Sequence, residues 1–269
     1  MKLTKELIVK PGKAAKVKHC DPDATPGFRD KTEAEATLEK NIKRLADLQF
    51  RLYAEQQRAV LVVLQGIDAA GKDGTIRHVM SGLNPQSCKV TAFKAPSAEE
   101  RAHHFLWRIQ KAVPAKGEIG IFNRSHYEDV LVVRVHDLAP KSVWSERFEQ
   151  INVFEKLLDD NDVTVVKFFL FISKDEQKRR LEARLQDPDK NWKFTPSDLE
   201  ERKRWDDYME AFENALTKCS TPWAPWHVIP ANKKWFRNLA VSQILVETLE
   251  RMDPRFPKPA FDLAKLVVK

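Results

Sequence analysis

The run Gly66-Ile67-Asp68-Ala69-Ala70-Gly71-Lys72-Asp73-Gly74-Thr75 assembles the residue types that hold a phosphate. Its glycines let the backbone turn tightly and bring successive amides up to phosphate oxygens, where a following helix adds the positive end of its dipole. Lys72 supplies a mobile point charge. The spacing is Gly-x4-Gly-Lys, but Asp73 stands where a phosphate loop carries its magnesium-binding hydroxyl, and Thr75 comes two residues later. The metal ligand must then come from elsewhere. Asp68 is the first candidate, because a carboxylate beside a row of phosphates repels them unless Mg2+ sits between. A glycine-rich turn without any ligand is the plainer alternative. The apolar strand Val60–Gln65 leading into the loop favours the phosphate site.

A second constellation is Asn123-Arg124-Ser125-His126-Tyr127-Glu128-Asp129, directly after the apolar stretch Glu118–Phe122. In a doubly wound sheet, polar residues beyond the carboxyl end of a strand lie where the loop's phosphates would be. The acid that usually ends such a Walker B strand is replaced by Asn123, so Glu128 and Asp129 are the residues that can restore the charge. A third is Lys178-Arg179-Arg180 with Arg184, four basic residues within seven positions on a helix capped by Ser173. They are suited to folding down on phosphates. Over residues 174 to 237, however, 14 Lys or Arg face 12 Asp or Glu, the near-balance of solvated helices laced with ion pairs. The seven histidines show no paired metal-ligand spacing.

Several elements are needed to position these groups. Strands are expected at 59–65, 88–93, 118–122, 164–172 and 226–229. The fourth, Thr164-Val-Val-Lys-Phe-Phe-Leu-Phe-Ile172, is too apolar for anything but a sheet interior. Apolar residues at three- and four-residue steps predict an amphipathic helix over 31–58, packing on the sheet or on a partner subunit. Further helices are predicted after the loop, from Ser97 to before Pro114, over 142–159, 197–218 and 233–252. This is one α/β domain over 31–252 with a lid at about 174–196, an irregular basic arm over 1–30 and an extended tail over 253–269. The chain of 269 residues carries a net charge of +7, and Lys2, Lys5, Lys10, Lys13, Lys16 and Lys18 against Glu6 place much of that excess in the arm. No apolar run approaches a membrane span, and the basic start lacks an apolar signal region. Three scattered cysteines indicate neither a disulfide frame nor zinc and fit a reducing cytoplasm.

Taken together, Gly66-x-Asp68-x-x-Gly71-Lys72-Asp73-Gly74-Thr75, the Phe122–Asp129 block, Lys174–Arg184, Trp192-Lys193-Phe194 and Pro225-Trp226 through Pro230-Ala231-Asn232 resemble the polyphosphate kinase 2 family over about residues 20 to 250. Asn123 departs from the Asp that many members carry there. With Glu128, it looks like the subgroup that accepts both nucleoside mono- and diphosphates. The resemblance implies a three-layer α/β/α, thymidylate-kinase-like P-loop fold with a parallel five-stranded sheet and a helical lid. It also implies dependence on Mg2+ or Mn2+, inorganic polyphosphate and adenine or guanine nucleotides as substrates, and a homodimer or homotetramer. On this reading Gly66, Ala69, Ala70, Gly71, Lys72, Asp73, Gly74, Thr75, Asn123 and Arg124 contact phosphates. Asp68 and Asp129 hold the metal, while Asp68, Lys72, Arg124, Glu128, Arg179 and Arg184 serve the transfer. An ATP-dependent P-loop kinase for a small metabolite would share the fold and the loop. A nucleic-acid binder would explain the basic charge, but no RNP, helix-turn-helix or finger pattern is present.

Overall fold

A computed structural model describes residues 3–262 and Leu266. Five strands, β1 (Ala59–Gln65), β2 (Cys88–Ala92), β3 (Ile119–Asn123), β4 (Val163–Phe171) and β5 (Trp226–Pro230), form one sheet in the order β2-β3-β1-β4-β5. Every pairing is parallel. All residues of β1 and almost all of β4 are buried, so the centre of the sheet is covered on both faces, as the unbroken apolar runs require.

The strand order fixes where a ligand can sit. β1 is central, and its two neighbours, β3 and β4, lie on opposite sides, so the chain reverses direction across the sheet at the carboxyl end of β1. Register then levels the site. Leu64 pairs with Asn123 on one side and with Phe168 on the other, which brings the Asn123–Asp129 block beside the loop after Gln65.

The helix Lys31–Glu55 starts on Asp30, whose side chain accepts from the Glu33 amide at 3.0 Å, and ends at Gln56 in the left-handed conformation. It packs on the closing helix Lys234–Met252, with a buried hydrogen bond from Asn41 Nδ2 to Ser242 Oγ at 3.0 Å.

Three elements differ from the sequence expectation. The arm expected to be irregular begins with a helical turn, Leu3–Leu7, whose Leu3 is buried. Ile8 then bridges His227 in antiparallel sense, and the Val9 amide donates to the Trp226 carbonyl at 2.8 Å. β5 would otherwise present an edge of unpaired backbone groups, and the arm supplies partners for it. The helix expected from Ser97 is capped there by a capping box with Glu100, but it splits into Ala98–Ala102 and Trp107–Gln110. The break falls at His103, which is extended and stacks its ring on Trp107 at 4.1 Å. The helix expected over 197–218 divides at Arg204, whose guanidinium donates to the Val135 carbonyl at 2.8 Å. In the tail, Pro254 is buried and Phe256 packs edge-on against Phe50. Residues 263–265 and 267–269 of the expected extended tail lie outside the described residues.

Candidate active site

The loop after β1 closes through the Ala70 amide donating to the Ile67 carbonyl at 3.0 Å and enters the helix Lys72–Val79. Gly71 caps that helix at φ 106°, in the left-handed region where a side chain is strained, and a Cβ there would collide with the Arg237 guanidinium. A Cβ on Gly66 would lie 2.9 Å from both the Ala70 side chain and the Leu170 carbonyl. Lys72 is 9% exposed and folds back over the loop, its Nζ donating to the Gly66 carbonyl at 2.6 Å and to the Ile67 carbonyl at 3.4 Å. Burial, with the Arg124 charge beside it, lowers the ammonium pKa to about 8, against the opposing pull of Asp68, Glu128 and Asp73. Thr75 is fully buried and its hydroxyl donates to the Gly71 carbonyl at 3.1 Å, so it supports the loop from within the helix.

Arg124 follows the last residue of β3 at φ 62°, an unfavourable conformation for a non-glycine residue, and its amide donates to the Leu64 carbonyl at 3.1 Å. That turn aims the guanidinium at the loop. Nη2 lies 2.7 Å from Asp68 Oδ1, and Nη1 lies 3.8 Å from Glu128 Oε2. Burial opposes the Arg124 charge, but Glu128 and Asp68 together raise its pKa above the ordinary value. Burial raises the Glu128 carboxyl, with Arg124, Lys72 and a hydrogen bond from Gln65 pulling the other way. The arginine thus gathers Asp68 and Glu128 around one cation.

Asp129 is placed differently. Its Oδ1 accepts from Arg147 Nη1 at 2.9 Å, and burial raises its pKa to about 6 against the charges of Arg147 and Arg108. The carboxylate that shares Arg124 with Asp68 is therefore Glu128, while Asp129, expected from sequence to hold metal with Asp68, is turned to Arg147. The turn explains it: Ser125 caps the 3-10 segment His126–Asp129, so consecutive side chains leave it in different directions. Asn123 donates through Nδ2 to Asp73 Oδ1 at 2.7 Å, while Asp73 Oδ2 lies 3.8 Å from Lys193 Nζ. Asp73 therefore links the strand end and the loop helix to Lys193, in the segment expected to form a lid.

The arginines of the expected lid also sort themselves. Arg179 is exposed and makes a bidentate pair with Glu176 at 2.7 and 2.6 Å, and Arg184 lies 3.9 Å from Asp198. Neither reaches the loop. Arg180, between them in sequence, does. Its Nη1 donates to the Ala69 and Ala70 carbonyls, each at 2.9 Å, and its Nη2 to the carbonyls of Ala231 and Asn232 at 2.5 and 3.0 Å. Gln177, one turn earlier, donates to the Asp68 carbonyl at 3.2 Å. Helical phase was the cue that separates Arg179, since 177, 180 and 184 are three and four apart and share a face; Arg184 lies a turn further along that face and turns to Asp198 instead of the loop.

A glycine loop roofed by lysine, a carboxylate pair bridged by arginine and a basic helix clipped to the loop form a phosphoryl-transfer constellation at the switch point of a parallel sheet. The model of the polyphosphate kinase 2 (PPK2) family matches residues 28–257. The chain belongs to this family. A relative from Meiothermus ruber named AMP/ADP-polyphosphate phosphotransferase is 51% identical, the match covering 98% of this chain and all of that one. An ADP-polyphosphate phosphotransferase from Rhodopseudomonas palustris is 45% identical over 95% of this chain and 92% of its own. The crystal structure of polyphosphate kinase 2 from Arthrobacter aurescens TC1 superposes with a TM-score of 0.95 at 46% identity, covering 98% of this chain and 94% of that one. The P-loop kinase fold expected from sequence is therefore the fold of this PPK2 chain.

Behind the site of this PPK2 member lies a buried ionic network that sequence reading missed. Lys167 on β4 donates to the Tyr127 hydroxyl and the Cys219 carbonyl, both at 2.7 Å, and pairs with Glu155. Glu155 also accepts from Tyr127 at 2.9 Å and contacts His126 Nε2 at 3.2 Å. Lys167, Glu155 and His126 are wholly buried. Burial would neutralise Glu155, but Lys167 and His126 outweigh it and hold its pKa below the usual carboxylate value. His126 and Tyr127 thus anchor the turn from below. A lysine inside an apolar strand was the one visible signal.

Proposed function

We propose that this protein transfers the terminal phosphoryl group of inorganic polyphosphate to AMP and to ADP, and runs the reaction in reverse when ATP is abundant. The observation that carries this reading is the full-length match to the Meiothermus ruber AMP/ADP-polyphosphate phosphotransferase. The site supports it chemically. The attacking nucleotide phosphate is already an anion, so no strong base is needed, and catalysis reduces to positioning and charge stabilisation.

In the proposed arrangement the amides of residues 66–75, together with Lys72, hold phosphates, and Arg124 spreads the charge of the transferring group. Lys72 leaves the Gly66 carbonyl for a phosphate oxygen on binding, which restores a full counter-charge to a buried ammonium. The lid, about 174–196, acts through Arg180, with Arg179 and Arg184 free to reach the chain only by exchanging their present carboxylate partners.

Members of the family need a divalent cation. Among the described residues no cluster of three or more His, Cys, Asp or Glu could hold one alone, but Mg2+ is satisfied by one or two carboxylates with phosphates and water. Asp68 and Glu128 fit that demand and would hold Mg2+, or Mn2+, with Asp129 kept on Arg147. When bound, the metal neutralises charge on the phosphates between which transfer occurs. The proposal includes adenine and guanine nucleotides as acceptors and a homodimer or homotetramer. The exposed Val153 and Leu157, one turn apart on the helix Lys141–Asp160, support an assembly face. No helix among the described residues is long and apolar enough to cross a membrane, and three free cysteines support a reducing cytoplasm.

The test is direct: incubate the protein with AMP, long-chain polyphosphate and Mg2+, without ATP, and follow ADP and then ATP. Formation of both carries the proposal. Phosphorylation that proceeds only with ATP as donor would instead make it an ATP-dependent kinase for another acceptor.

A further inference from the structure

Arg237 lies in the first turn of the closing helix Lys234–Met252 and is 3% exposed. It packs against the phosphate loop so closely that its guanidinium fills the space a side chain on Gly71 would take, and Nη2 lies 3.1 Å from where a Cβ on Gly74 would be. Its side-chain hydrogen-bond partner among the described residues is neutral: Nε and Nη2 donate to Asn238 Oδ1 at 3.1 and 2.8 Å. Among the described residues no carboxylate pairs with it. The nearest charge that matters is another cation, Arg180, and burial together with that neighbour lowers its pKa to about 10. Lys234 adds a third positive group, and the acid that offsets its charge, Glu176, is already held by Arg179 and Arg180.

A buried charge without a counter-ion is costly, and substituting well-packed apolar residues for buried ions is often neutral or stabilising. An arginine kept in that state beneath a phosphate loop is explained if its counter-ion arrives with the ligand. Building on the proposed function, we infer that Arg237 is a positioning residue for the phosphates in the loop: its guanidinium braces Gly71 and Gly74 and supplies through the backbone a positive field that bound phosphate neutralises. The field acts on whichever substrate occupies the loop. Two unit charges several ångströms apart at an effective dielectric near 20 correspond to about tenfold or more in affinity.

The experiment compares full-length wild type, Arg237→Met and Arg237→Lys. Thermal unfolding is measured with and without tripolyphosphate and Mg2+, and steady-state kinetics are measured with polyphosphate and ADP varied in turn. Methionine replaces the stem of the side chain without its charge. The expected result is that Arg237→Met melts at or above the wild-type temperature without ligand but loses most of the stabilisation by tripolyphosphate. Its KM for the substrate that occupies the loop rises about tenfold or more, while kcat and the other KM change by less than about threefold. Arg237→Lys, keeping the charge, recovers part of the affinity. A variant with a lower melting temperature but an undiminished tripolyphosphate shift would make Arg237 a structural residue and overturn the inference, as would equal behaviour of the methionine and lysine variants. A wild type that tripolyphosphate does not stabilise would overturn the phosphate-site reading itself, and this inference with it.

Discussion

The alkaline limb of the pH profile should belong to Lys72. Its ammonium is buried over the loop, bonded only to backbone carbonyls, and its pKa is lowered to about 8. The free enzyme therefore loses its phosphate-binding charge as pH rises through about 8, and kcat/KM, which reports free-enzyme ionisations, should fall about tenfold per pH unit above that point. Bound phosphate returns a counter-charge to the lysine, so kcat should break at a higher pH than kcat/KM. Stability carries the opposite sign. The folded pKa lies below the unfolded value of 10.5, so burial of the charged lysine destabilises the fold by about 3 kcal/mol below pH 8. That penalty is relieved progressively between about pH 8 and 10.5. The assay is ATP formation from ADP and polyphosphate at saturating Mg2+, from about pH 6.5 to 10. A terminal phosphate loses its second proton near pH 6, so the substrates do not titrate in the alkaline window. Lys72→Arg should remove the limb at some cost in rate, because its guanidinium stays charged. A kcat/KM that is flat through about pH 9.5, or a limb that survives in Lys72→Arg, would refute the assignment.

Lys167→Met should cost about 3 to 5 kcal/mol by stranding the buried Glu155, lowering the melting temperature by about 6 to 15 °C, whereas Lys167→Met with Glu155→Leu should recover most of it. Additive losses in the double variant would show that the two residues are not coupled. Arg180→Ala should lower kcat/KM by about a hundredfold, because four backbone carbonyls of the loop and the 231–232 segment lose their shared donor, while Arg179→Ala should change it less than about threefold. The reverse ranking in steady-state assays would return the lid role to Arg179. Glu128→Asn should raise the Mg2+ needed with either acceptor, as one of the two proposed metal carboxylates, and should impair AMP phosphorylation more than ADP phosphorylation, because with the shorter acceptor a water or metal in the Asp68–Arg124 cluster must also fill the gap. Equal loss with both acceptors, assayed separately, would make Glu128 a general site residue.

The sequence by itself determined the parallel sheet, because five short apolar runs separated by helical patterns can be buried only in such an arrangement. It also determined the phosphate loop, since three glycines and Lys72 at that spacing after a buried strand leave few other conformations. Those features are local, and periodicity and backbone freedom encode them. What only the tertiary structure decided is which polar side chains meet. Glu128 and Asp129 are adjacent in sequence and chemically alike, yet one turns to Arg124 and the other to Arg147, a choice made by the Ser125 cap and the buried anchors His126 and Tyr127. Arg179, Arg180 and Arg184 are interchangeable in composition, but Arg179 leaves from another helical face and Arg184, a turn further along, meets Asp198, so the contact with the loop falls to Arg180. The basic arm reads from sequence as irregular chain, and only the fold decides that it runs along the edge of β5. The deciding partners, Glu155 beneath the anchors, the carbonyls of Ala69 and Ala70 for Arg180 and β5 for the arm, are distant in sequence, so no spacing rule could name them.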